Sequence, residues 1–324
     1  MKMQIETAPI VLFVYNRPWH TRQTLEALAR NELTAQSVLY IYADGPKENA
    51  DEKISEQIKK TRELIRSRQW CKEVIIYEKE NNSGLANSII AGVTEIVNRH
   101  GKIIVLEDDL IVSPYFLQYM NDGLKVYENE TGVISIHAYN YPVNIKGLPE
   151  TFFIKGADCW GWATWVNRWN LFEKDAEKLL KEIESKHLQF EFDIQNSYPY
   201  TQMLKDQVGN KIDSWAIRWY ASAFLKNKYT LYPNISIVNN IGMDGTGTHG
   251  SSIGNFRNNK WNNSRRINIV YTDKIENNNL VLSRWKNYHR QNNKGIRRRS
   301  ASTIQKLKFI TSRVFRRNRN IKEI

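Results

Sequence analysis

The sequence predicts an α/β fold, Rossmann-like, in which helices flank a mainly parallel central sheet. First, short apolar segments alternate with amphipathic helical segments over residues 9–113, a spacing typical of βαβ units with right-handed crossovers. Second, a chain of 324 residues, 41% of them hydrophobic, can bury a sizeable core. Third, the apolar segment 102–106 ends in three consecutive acids, as expected of a buried strand that ends at the rim of a sheet.

The individual elements follow from local pattern. Apolar runs of strand length predict strands at Ile10–Tyr15, Val38–Ala43, Val74–Tyr77, Ile103–Leu106 and Val133–His137. Amphipathic or polar segments between and after them predict helices at 19–30, 52–68, 84–99, 114–127 and 174–187. Ser83 is a candidate N-cap for the helix over 84–99. Farther along, we expect a helix over Ser214–Asn227, a strand over Tyr229–Val238 and a glycine-rich loop over 241–250.

The net charge of +13 is concentrated at one end of the chain. Residues 284–324 contain fourteen Lys and Arg but one acid, and the preceding residues contain equal numbers of acids and bases. We therefore predict a main domain over 1–256, an irregular Asn-rich extension over 257–283 and a basic amphipathic tail over 284–324. No nucleic acid is expected as a partner, because only the appendage is basic.

The composition also indicates the cellular compartment in which the protein is expected. No segment reaches the run of about 18 apolar residues that spans a bilayer, and the first residues lack the pattern of a signal peptide. Cys71 and Cys159 form neither a metal-binding spacing nor a disulfide framework, so we expect reduced thiols in a cytoplasmic protein. The abundance of Asn, Lys and Ile favours a bacterial source.

The most informative segment is the strand that ends in Glu107, Asp108 and Asp109. In open α/β sheets, ligands bind outside the carboxyl ends of the strands. Adjacent carboxylates repel one another unless a cation lies between them, and a divalent cation that holds phosphate oxygens is the natural candidate. Glu107 and Asp109 should share one side of the strand, because side chains alternate. The alternative is a turn whose acids cap the helix that starts near Pro114.

Polar residues follow two further strands at the same rim. Asn16 and Arg17 come after the first strand, and Asp44 comes after the second. A guanidinium matches the geometry of a pyrophosphate, and Asp44 can accept a hydrogen bond from a base or a ribose hydroxyl. The alternative for both segments is a simple turn. The first loop contains no G-x-G-x-x-G and no G-K-[ST], which counts against dinucleotide cofactors and P-loop nucleotides.

Two downstream segments are candidates for the acceptor side of a site. Trp160 and Trp162 begin a group of four tryptophans within ten residues, for which we favour the wall of a carbohydrate pocket over the alternative of core packing. Asp213 precedes Trp215 at a predicted helix start. An acid there is commonly a cap, but a hydroxyl that attacks a sugar carbon needs a carboxylate to take its proton, and Asp213 is the best-placed acid downstream of the sheet.

Together these motifs resemble those of inverting glycosyltransferases of the GT-A fold, and among them the N-acetylglucosaminyltransferase I group and its bacterial relatives. The resemblance covers roughly residues 8–256, and weak motifs in the right order reinforce one another. The ordered set is Arg17, Asp44-Gly45, Glu107-Asp108-Asp109, Gly161-Trp162, Asp213-Ser214-Trp215 and Thr248-His249-Gly250. The chain departs from the family where the family has a paired Asp-Asp before the tryptophan, and where Ser88 stands approximately in place of a histidine near the donor.

For the donor, the resemblance implies that Asp109 binds Mn²⁺ (or Mg²⁺), which bridges the diphosphate of a nucleotide sugar, UDP being the expected nucleotide. It implies that Glu107 and Asp108 hold the sugar and ribose. It also implies that Asp44 contacts uracil and that Arg17, with Asn16 beside it, lies near the phosphates.

For the acceptor, the resemblance makes Asp213 the catalytic base of a single in-line displacement that inverts the anomeric carbon. The resemblance also implies that the 241–250 loop orders over the bound donor, with His249 approaching the phosphates. We expect Trp160, Trp162 and Trp215 to line the acceptor site.

The basic tail places apolar residues at helical spacing among Lys and Arg over 301–317. Such a helix is an interfacial membrane binder, and each basic residue gains about 1 kcal/mol near anionic lipid. We therefore expect a peripheral protein on the inner face of the cell membrane that acts on a glycan or lipid-linked acceptor in cell-surface polysaccharide or lipopolysaccharide synthesis. A solvated tail without fixed structure is the alternative.

Two other functions are compatible with parts of the sequence. A nucleotidyltransferase that acts on sugar phosphates also has acids at strand ends, but it predicts a glycine-rich phosphate loop after the first strand, which this chain lacks. A non-catalytic carbohydrate-binding protein would use the tryptophans but has no use for three acids at a strand end. Metal-dependent glycosyl transfer accounts for both features.

Overall fold

A computed structural model describes residues 7–247 and 261–292 of the chain. The strands are β1 (Ile10–Val14), β2 (Val38–Ala43), β3 (Glu73–Glu78), β4 (Lys102–Glu107), β5 (Leu110–Val112), β6 (Val133–His137), β7 (Thr151–Lys155), β8 (Trp162–Trp165), β9 (Tyr229–Pro233) and β10 (Val238–Asn240). The helices are α1 (Pro18–Ala29), α2 (Glu52–Arg66), α3 (Leu85–His100), α4 (Phe116–Val126), α5 (Val166–Trp169), α6 (Ala176–Ser185), α7 (Gln189–Phe192), α8 (Tyr200–Val208) and α9 (Trp215–Leu225). Residues 279–292 are also helical.

Over the described residues, the central sheet has eight strands in the order β3-β2-β1-β4-β8-β6-β9-β7. Six of them run in one direction, and β8 and β7 run in the other. The antiparallel pair β5–β10 forms a separate two-stranded sheet beside the end of β4. The predicted fold class is therefore confirmed as an α/β, Rossmann-like fold with a mainly parallel central sheet.

Alternation along β1 shows how the sheet is covered on both faces. Ile10, Leu12 and Val14 pack into one apolar cluster with residues of α1, α2 and α4. Val11 and Phe13 point the other way, into a second cluster with α3 and α9. Every β1 side chain is buried, as expected of a parallel strand with helices on both faces. This arrangement leaves the rims of the sheet, rather than its faces, accessible to a ligand.

Several predicted boundaries match the structure to within one or two residues, and three details were wrong. Ser83 is not the N-cap of α3, because the cap is Gly84 with φ +78°. The expected strand Tyr229–Val238 is two strands in different sheets, since the chain leaves the central sheet after Pro233 and pairs with β5 from Val238. Strand β8 lies within the tryptophan-rich segment that we interpreted as a pocket wall, and β7, just before that segment, was not predicted.

The described residues beyond 260 pack against the main domain. The helix at 279–292 contributes Trp285, which contacts Tyr232 edge-to-face at 5.2 Å and donates through Nε1 to Asn140 Oδ1. The predicted tail boundary at 284 falls inside this helix, and the amphipathic pattern over 301–317 lies outside the described residues. Neither cysteine forms a disulfide. Searching the described residues reveals no helix with the length and apolar character needed to cross a membrane.

Candidate functional site

Arg17 lies between the acids that follow β4. Three residues, Tyr15 to Arg17, connect β1 to α1, and Pro18 occupies the first turn of α1, where its missing N–H costs nothing. The Arg17 guanidinium forms ion pairs with both Asp108 and Asp109, the second at 2.8 Å between Nη2 and Oδ2. The structure thus brings together two of the predicted clusters through a direct contact between them.

The single positive charge of Arg17 offsets only part of the negative charge of the three acids. Burial, and then the charges of Asp109 and Asp108, raise the pKa of Glu107 to about 8. Burial also raises the pKa of Asp108 to about 6, although Arg17 opposes the shift. Burial lowers the pKa of Arg17, but the two aspartates more than offset this and hold it above its ordinary value. The site therefore has capacity for further positive charge.

The residues fit a divalent cation that is shared with a diphosphate. Carboxylate oxygens are the ligands that Mg²⁺ and Mn²⁺ prefer. Among residues 7–247 and 261–292, no three His, Cys, Asp or Glu side chains converge as a ready-made metal site. One or two carboxylates suffice, however, where substrate phosphates supply the remaining oxygens, and Asp109 at the mouth of the cluster retains 15% side-chain exposure.

A glycine-bearing loop over residues 241–247 covers Arg17 and Asp109. The Ile241 N–H donates to the Asp109 carbonyl at 2.9 Å. A Cβ on Gly242 would lie 2.0 Å from Asp109 Oδ2, and one on Gly247 would lie 3.1 Å from Arg17 Nη1. Only glycine permits so close an approach. The same loop is anchored to α1 through His20 Nε2, which lies 3.0 Å from a carboxylate oxygen of Asp244.

One donor of Arg17 has no partner in the described part of the chain. Nη1 is fully buried and makes no hydrogen bond there, while Nε and Nη2 are used by the aspartates. Leaving a buried charged donor unsatisfied is costly. Nη1 is next to the glycine loop, so a small anion that entered beneath the loop would accept its hydrogen bond. His249, predicted to approach the same place, lies outside the described residues.

Asp44 lies at the same rim, at the carboxyl end of β2, and binds backbone N–H groups there. Its carboxylate is buried and accepts hydrogen bonds from the N–H groups of Gly45, Ser83 and Gly84 at 2.9–3.2 Å. These bonds join the end of β2 to the loop before α3. Asn16 is half-buried beside Arg17. The predicted contacts of Asp44 with uracil and of Asn16 with the donor stay predictions, with Asp44 also fixing the backbone of this rim.

The tryptophans predicted to line an acceptor site occupy different environments. Trp162 is fully buried and Trp215 is 3% exposed, and their rings stack at 5.4 Å within a cluster that includes Trp169 and Trp219. These two side chains are core residues, because a ring without accessible surface cannot contact a sugar. Trp160 is half-buried and contacts Tyr139 edge-to-face at 4.6 Å, so its predicted role at the rim remains open.

The role of Trp162 can be tested through stability. Replacing Trp162 by Ala should lower the free energy of unfolding by about 3–5 kcal/mol, the cost of a large cavity in a packed core. Urea-induced unfolding followed by circular dichroism measures this loss. Trp160→Ala is the matched control and should cost markedly less, because its ring is only half-buried. Equal losses in the two variants would contradict the core assignment.

Asp213 stands immediately before the N-cap of α9, which is Ser214. Its side chain is 60% exposed and pairs with Arg218 Nη2 at 3.1 Å. Trp215 stacks on Trp162, and Trp162 pairs with Val105, near the end of β4. Trp215, two residues after Asp213, therefore packs against the sheet near the carboxyl end of β4, and the Asp213 side chain itself is exposed.

Sequence reasoning missed two residues that shape this rim. His137, at the end of β6, accepts the Trp160 N–H through Nε2 and donates through Nδ1 to the Tyr139 carbonyl. Burial lowers the pKa of His137, so its imidazole is neutral. Its hydrogen bond with the Trp160 N–H fixes the segment before β8. Asp158 lies in that segment, and its Oδ1 accepts the Cys159 N–H at 2.9 Å. A single histidine and an isolated acid carried no motif that singled them out.

A surface groove of about 750 Å³ lies elsewhere, lined by residues at the end of α1 and by the segment 68–72 before β3. This is the amino-terminal rim of the parallel strands, opposite the acids. The groove is therefore not the space in which the predicted donor would bind.

Comparisons with known proteins give only distant structural similarities. No family model and no curated protein matches the chain. Among solved structures, S. aureus TarS aligns at 12% identity and a TM-score of 0.28, over 47% of this chain and 25% of that chain. UDP-glucose pyrophosphorylase complexed with UDP-glucose aligns at 14% identity and a TM-score of 0.30, over 51% of this chain and 79% of that chain. The aligned region thus spans a quarter of TarS. Both scores are low, so the fold assignment rests on the strand order.

Proposed function

We propose that this chain is an inverting glycosyltransferase that moves a hexosyl or N-acetylhexosaminyl group from a UDP-sugar to a glycan or lipid-linked acceptor. The acceptor would belong to cell-surface polysaccharide or lipopolysaccharide synthesis. The observation that carries the proposal is the buried Nη1 of Arg17, which has no hydrogen-bond partner among residues 7–247 and 261–292. This atom lies beside the acids at a strand end and beneath a glycine loop. That combination suits a diphosphate, which accepts from the guanidinium and brings its own cation.

The beginning of α1 supports the same placement of the phosphates. Arg17 is the N-cap residue of this 12-residue helix, and no side chain in the described part of the chain caps it. The positive end of the helix dipole favours an anion there. Asp109 would hold Mn²⁺ (or Mg²⁺) together with the diphosphate, and the bound metal would supply Lewis-acid stabilisation of the leaving phosphate charge. Glu107 and Asp108 would orient the sugar and the ribose.

The remaining chemistry falls to this chain's own side chains. Asp213 would take the proton of the acceptor hydroxyl as that oxygen attacks the anomeric carbon, opposite the leaving nucleotide. Arg17 would donate to the diphosphate as negative charge grows on it. The 241–247 loop would exclude water from the donor while it is closed. Attack from the face opposite the leaving group inverts the anomeric configuration.

The experiment is a panel of nucleotide sugars incubated with the protein, Mn²⁺ and candidate glycan acceptors. We expect UDP release from at least one UDP-sugar and a product whose anomeric proton coupling shows inversion by NMR. Intact donor after long incubation would contradict the proposal and favour a carbohydrate-binding protein. Pyrophosphate-dependent formation of nucleoside triphosphate would instead identify a nucleotidyltransferase.

The glycine loop provides a separate prediction. Gly242→Ala should lower turnover by roughly a hundredfold, because its Cβ would collide with Asp109 Oδ2 and displacements of about 1 Å in an active site cost that much. Steady-state kinetics measure the effect. Gly132→Ala is the matched control, since its Cβ would meet Ile275 at an ordinary 3.5 Å. Unchanged turnover in Gly242→Ala would mean that the loop does not close over the donor as proposed.

Membrane attachment through residues 284–324 remains part of the proposal. Liposomes containing anionic lipid should sediment the full chain, and truncation after residue 292 should abolish this, because the predicted basic helix is then removed. Absence of sedimentation by the full chain would contradict attachment.

A further inference from the structure

A cluster of tyrosines surrounds Asp158 on the same rim as the acids. Its members come from three different parts of the chain, which converge only in the folded protein. We define the tyrosine cluster as Tyr141, Tyr198, Tyr200 and Tyr232. Burial, and then the charge of Asp158, raise the pKa of Tyr198, of Tyr200 and of Tyr232. The carboxylate therefore lies within electrostatic reach of several phenols, in a setting that the donor site does not use.

The rings form a continuous aromatic surface. Tyr141 contacts the His289 ring at 4.6 Å between centroids, His289 contacts Tyr198 at 4.9 Å, and Tyr198 contacts Tyr200 at 4.5 Å. Tyr141, Tyr198, Tyr200 and Asp158 are half-buried and retain contact with solvent, whereas Tyr232 is only 4% exposed and packs beneath them. The surface thus presents ring faces and hydroxyl groups around one carboxylate.

His289 supplies an independent sign that a polar ligand belongs here. The residue is only 4% exposed, and its Nε2 is buried without a hydrogen-bond partner among the residues that the structure describes. It lies between Tyr141 and Tyr198. A buried ring nitrogen without a partner is unfavourable. A ligand hydroxyl would satisfy it if Tyr141 or Tyr198 moved aside on binding, because Nε2 has no accessible surface in this structure.

The position of Asp158 connects the tyrosine cluster to the donor site. Strand β8 runs antiparallel to β4, with Trp162 opposite Val105, so the residues just before Trp162 pass the end of β4. Cys159 follows Asp158 directly in this segment, and burial and then the charges of Asp158 and Glu107 raise the pKa of its thiol. A molecule bound at Asp158 would therefore be adjacent to the sugar of a donor held by the acids after β4.

We propose that Asp158 and the tyrosine cluster form the acceptor subsite and bind an uncharged, hydroxyl-rich sugar. This inference rests on the glycosyltransferase function proposed above. Tyrosine faces cover the apolar faces of a pyranose ring, and a carboxylate accepts strong hydrogen bonds from sugar hydroxyls. The carboxylates at the rim repel a uronate or another acidic sugar, so the acceptor residue is neutral. Asp158 is a binding residue that orients the acceptor, and Asp213 keeps the role of base.

The test measures binding of defined methyl glycosides by saturation-transfer difference NMR with the full chain. The probes are the methyl glycosides of glucose, galactose, mannose and N-acetylglucosamine, and methyl glucuronide is the charged comparison. We expect a signal from at least one neutral glycoside and none from the glucuronide. Asp158→Asn should weaken the affinity about tenfold to a hundredfold, because it removes the charge on a hydrogen-bond acceptor. Its amide oxygen can still accept the Cys159 N–H, which preserves the loop.

Two further variants guard against a folding artefact. Tyr198→Phe keeps the ring and removes the hydroxyl, and should also weaken glycoside binding. Tyr229→Phe, on the same strand as Tyr232 but at its opposite end, should leave it unchanged. The inference is overturned if no neutral glycoside binds, if the glucuronide binds equally well, or if Asp158→Asn and Tyr198→Phe bind like the wild type.

Calorimetry with UDP separates the two proposals. UDP should bind Asp158→Asn as tightly as it binds the wild type, because the residue belongs to the acceptor side. Failure of the wild type to bind UDP would contradict the proposed function itself. UDP binding without glycoside binding would contradict the acceptor subsite alone.

Discussion

Asp109→Ala is expected to eliminate the Mn²⁺-dependent part of UDP affinity, a loss of about a hundredfold or more. Asp109 is more exposed than Asp108, 15% against 6% of the side chain, and lies where the glycine loop covers the cluster. A divalent cation that clamps a diphosphate is worth several kcal/mol, and removing its protein ligand forfeits that energy. Arg17 would still pair with Asp108, so the local fold should survive.

Isothermal titration calorimetry with UDP, in Mn²⁺ and again in EDTA, measures this effect. In the wild type, EDTA should weaken UDP binding, and in Asp109→Ala the two conditions should give the same weak affinity. Asp122→Ala provides a matched control, because this acid lies on α4 and is bonded to Gln118. If Mn²⁺ still strengthens UDP binding to Asp109→Ala, another residue holds the metal.

The two ion pairs of Arg17 define an alternative outcome of this experiment, in which UDP binding does not depend on a metal. The guanidinium already contacts both aspartates, so it supplies part of the positive charge that a metal would bring. If the wild type binds UDP equally well in EDTA, Arg17 alone compensates the diphosphate, and the metal-dependent part of the proposal is wrong. Arg17→Lys then discriminates further, because a lysine keeps the charge but loses the forked donor geometry.

Most parallel strands could be predicted from the sequence because each is a short, largely apolar run. Val38–Ala43 and Val133–His137 were predicted to the residue, since parallel strands that are buried on both faces are rich in apolar residues along their whole length. Strand β8 was missed although it is equally buried. Its Trp162 faces one apolar cluster and its Trp165 faces the other, so the crowding of tryptophans indicated a two-sided strand rather than a sugar pocket.

The position of the site could be predicted from the rule that ligands bind at the carboxyl ends of the strands in an open α/β sheet. Arg17 and the acids lie at carboxyl ends of neighbouring strands, so their proximity follows from a parallel sheet. Their direct pairing does not, because side-chain distances depend on the turn before Pro18 and on the loop that carries Gly242. The convergence of Asp158 with Tyr141 and Tyr198 was also beyond reach, since these residues come from separate loops whose positions depend on the whole fold.

Asp213→Asn is expected to leave UDP affinity unchanged and to reduce the rate of sugar transfer about a hundredfold to ten-thousandfold. The substitution preserves shape and the hydrogen bond to Arg218, but an amide cannot take the proton of the attacking hydroxyl. General-base catalysis typically contributes a rate factor of that size. Calorimetry with UDP and single-turnover transfer assays together measure both quantities.

The matched control is Asp206→Asn, an acid on α8 that pairs with Lys211 and should transfer sugar at the wild-type rate. The comparison with Asp158→Asn is the sharper one, because the two acids are assigned different tasks. Loss of a base lowers kcat at saturating acceptor, whereas loss of an acceptor-binding carboxylate raises the KM for acceptor. If Asp213→Asn costs less than about tenfold in kcat while Asp158→Asn abolishes turnover at saturation, the base is Asp158. Asp213, 60% exposed and paired with Arg218, would then be a surface residue at the start of α9.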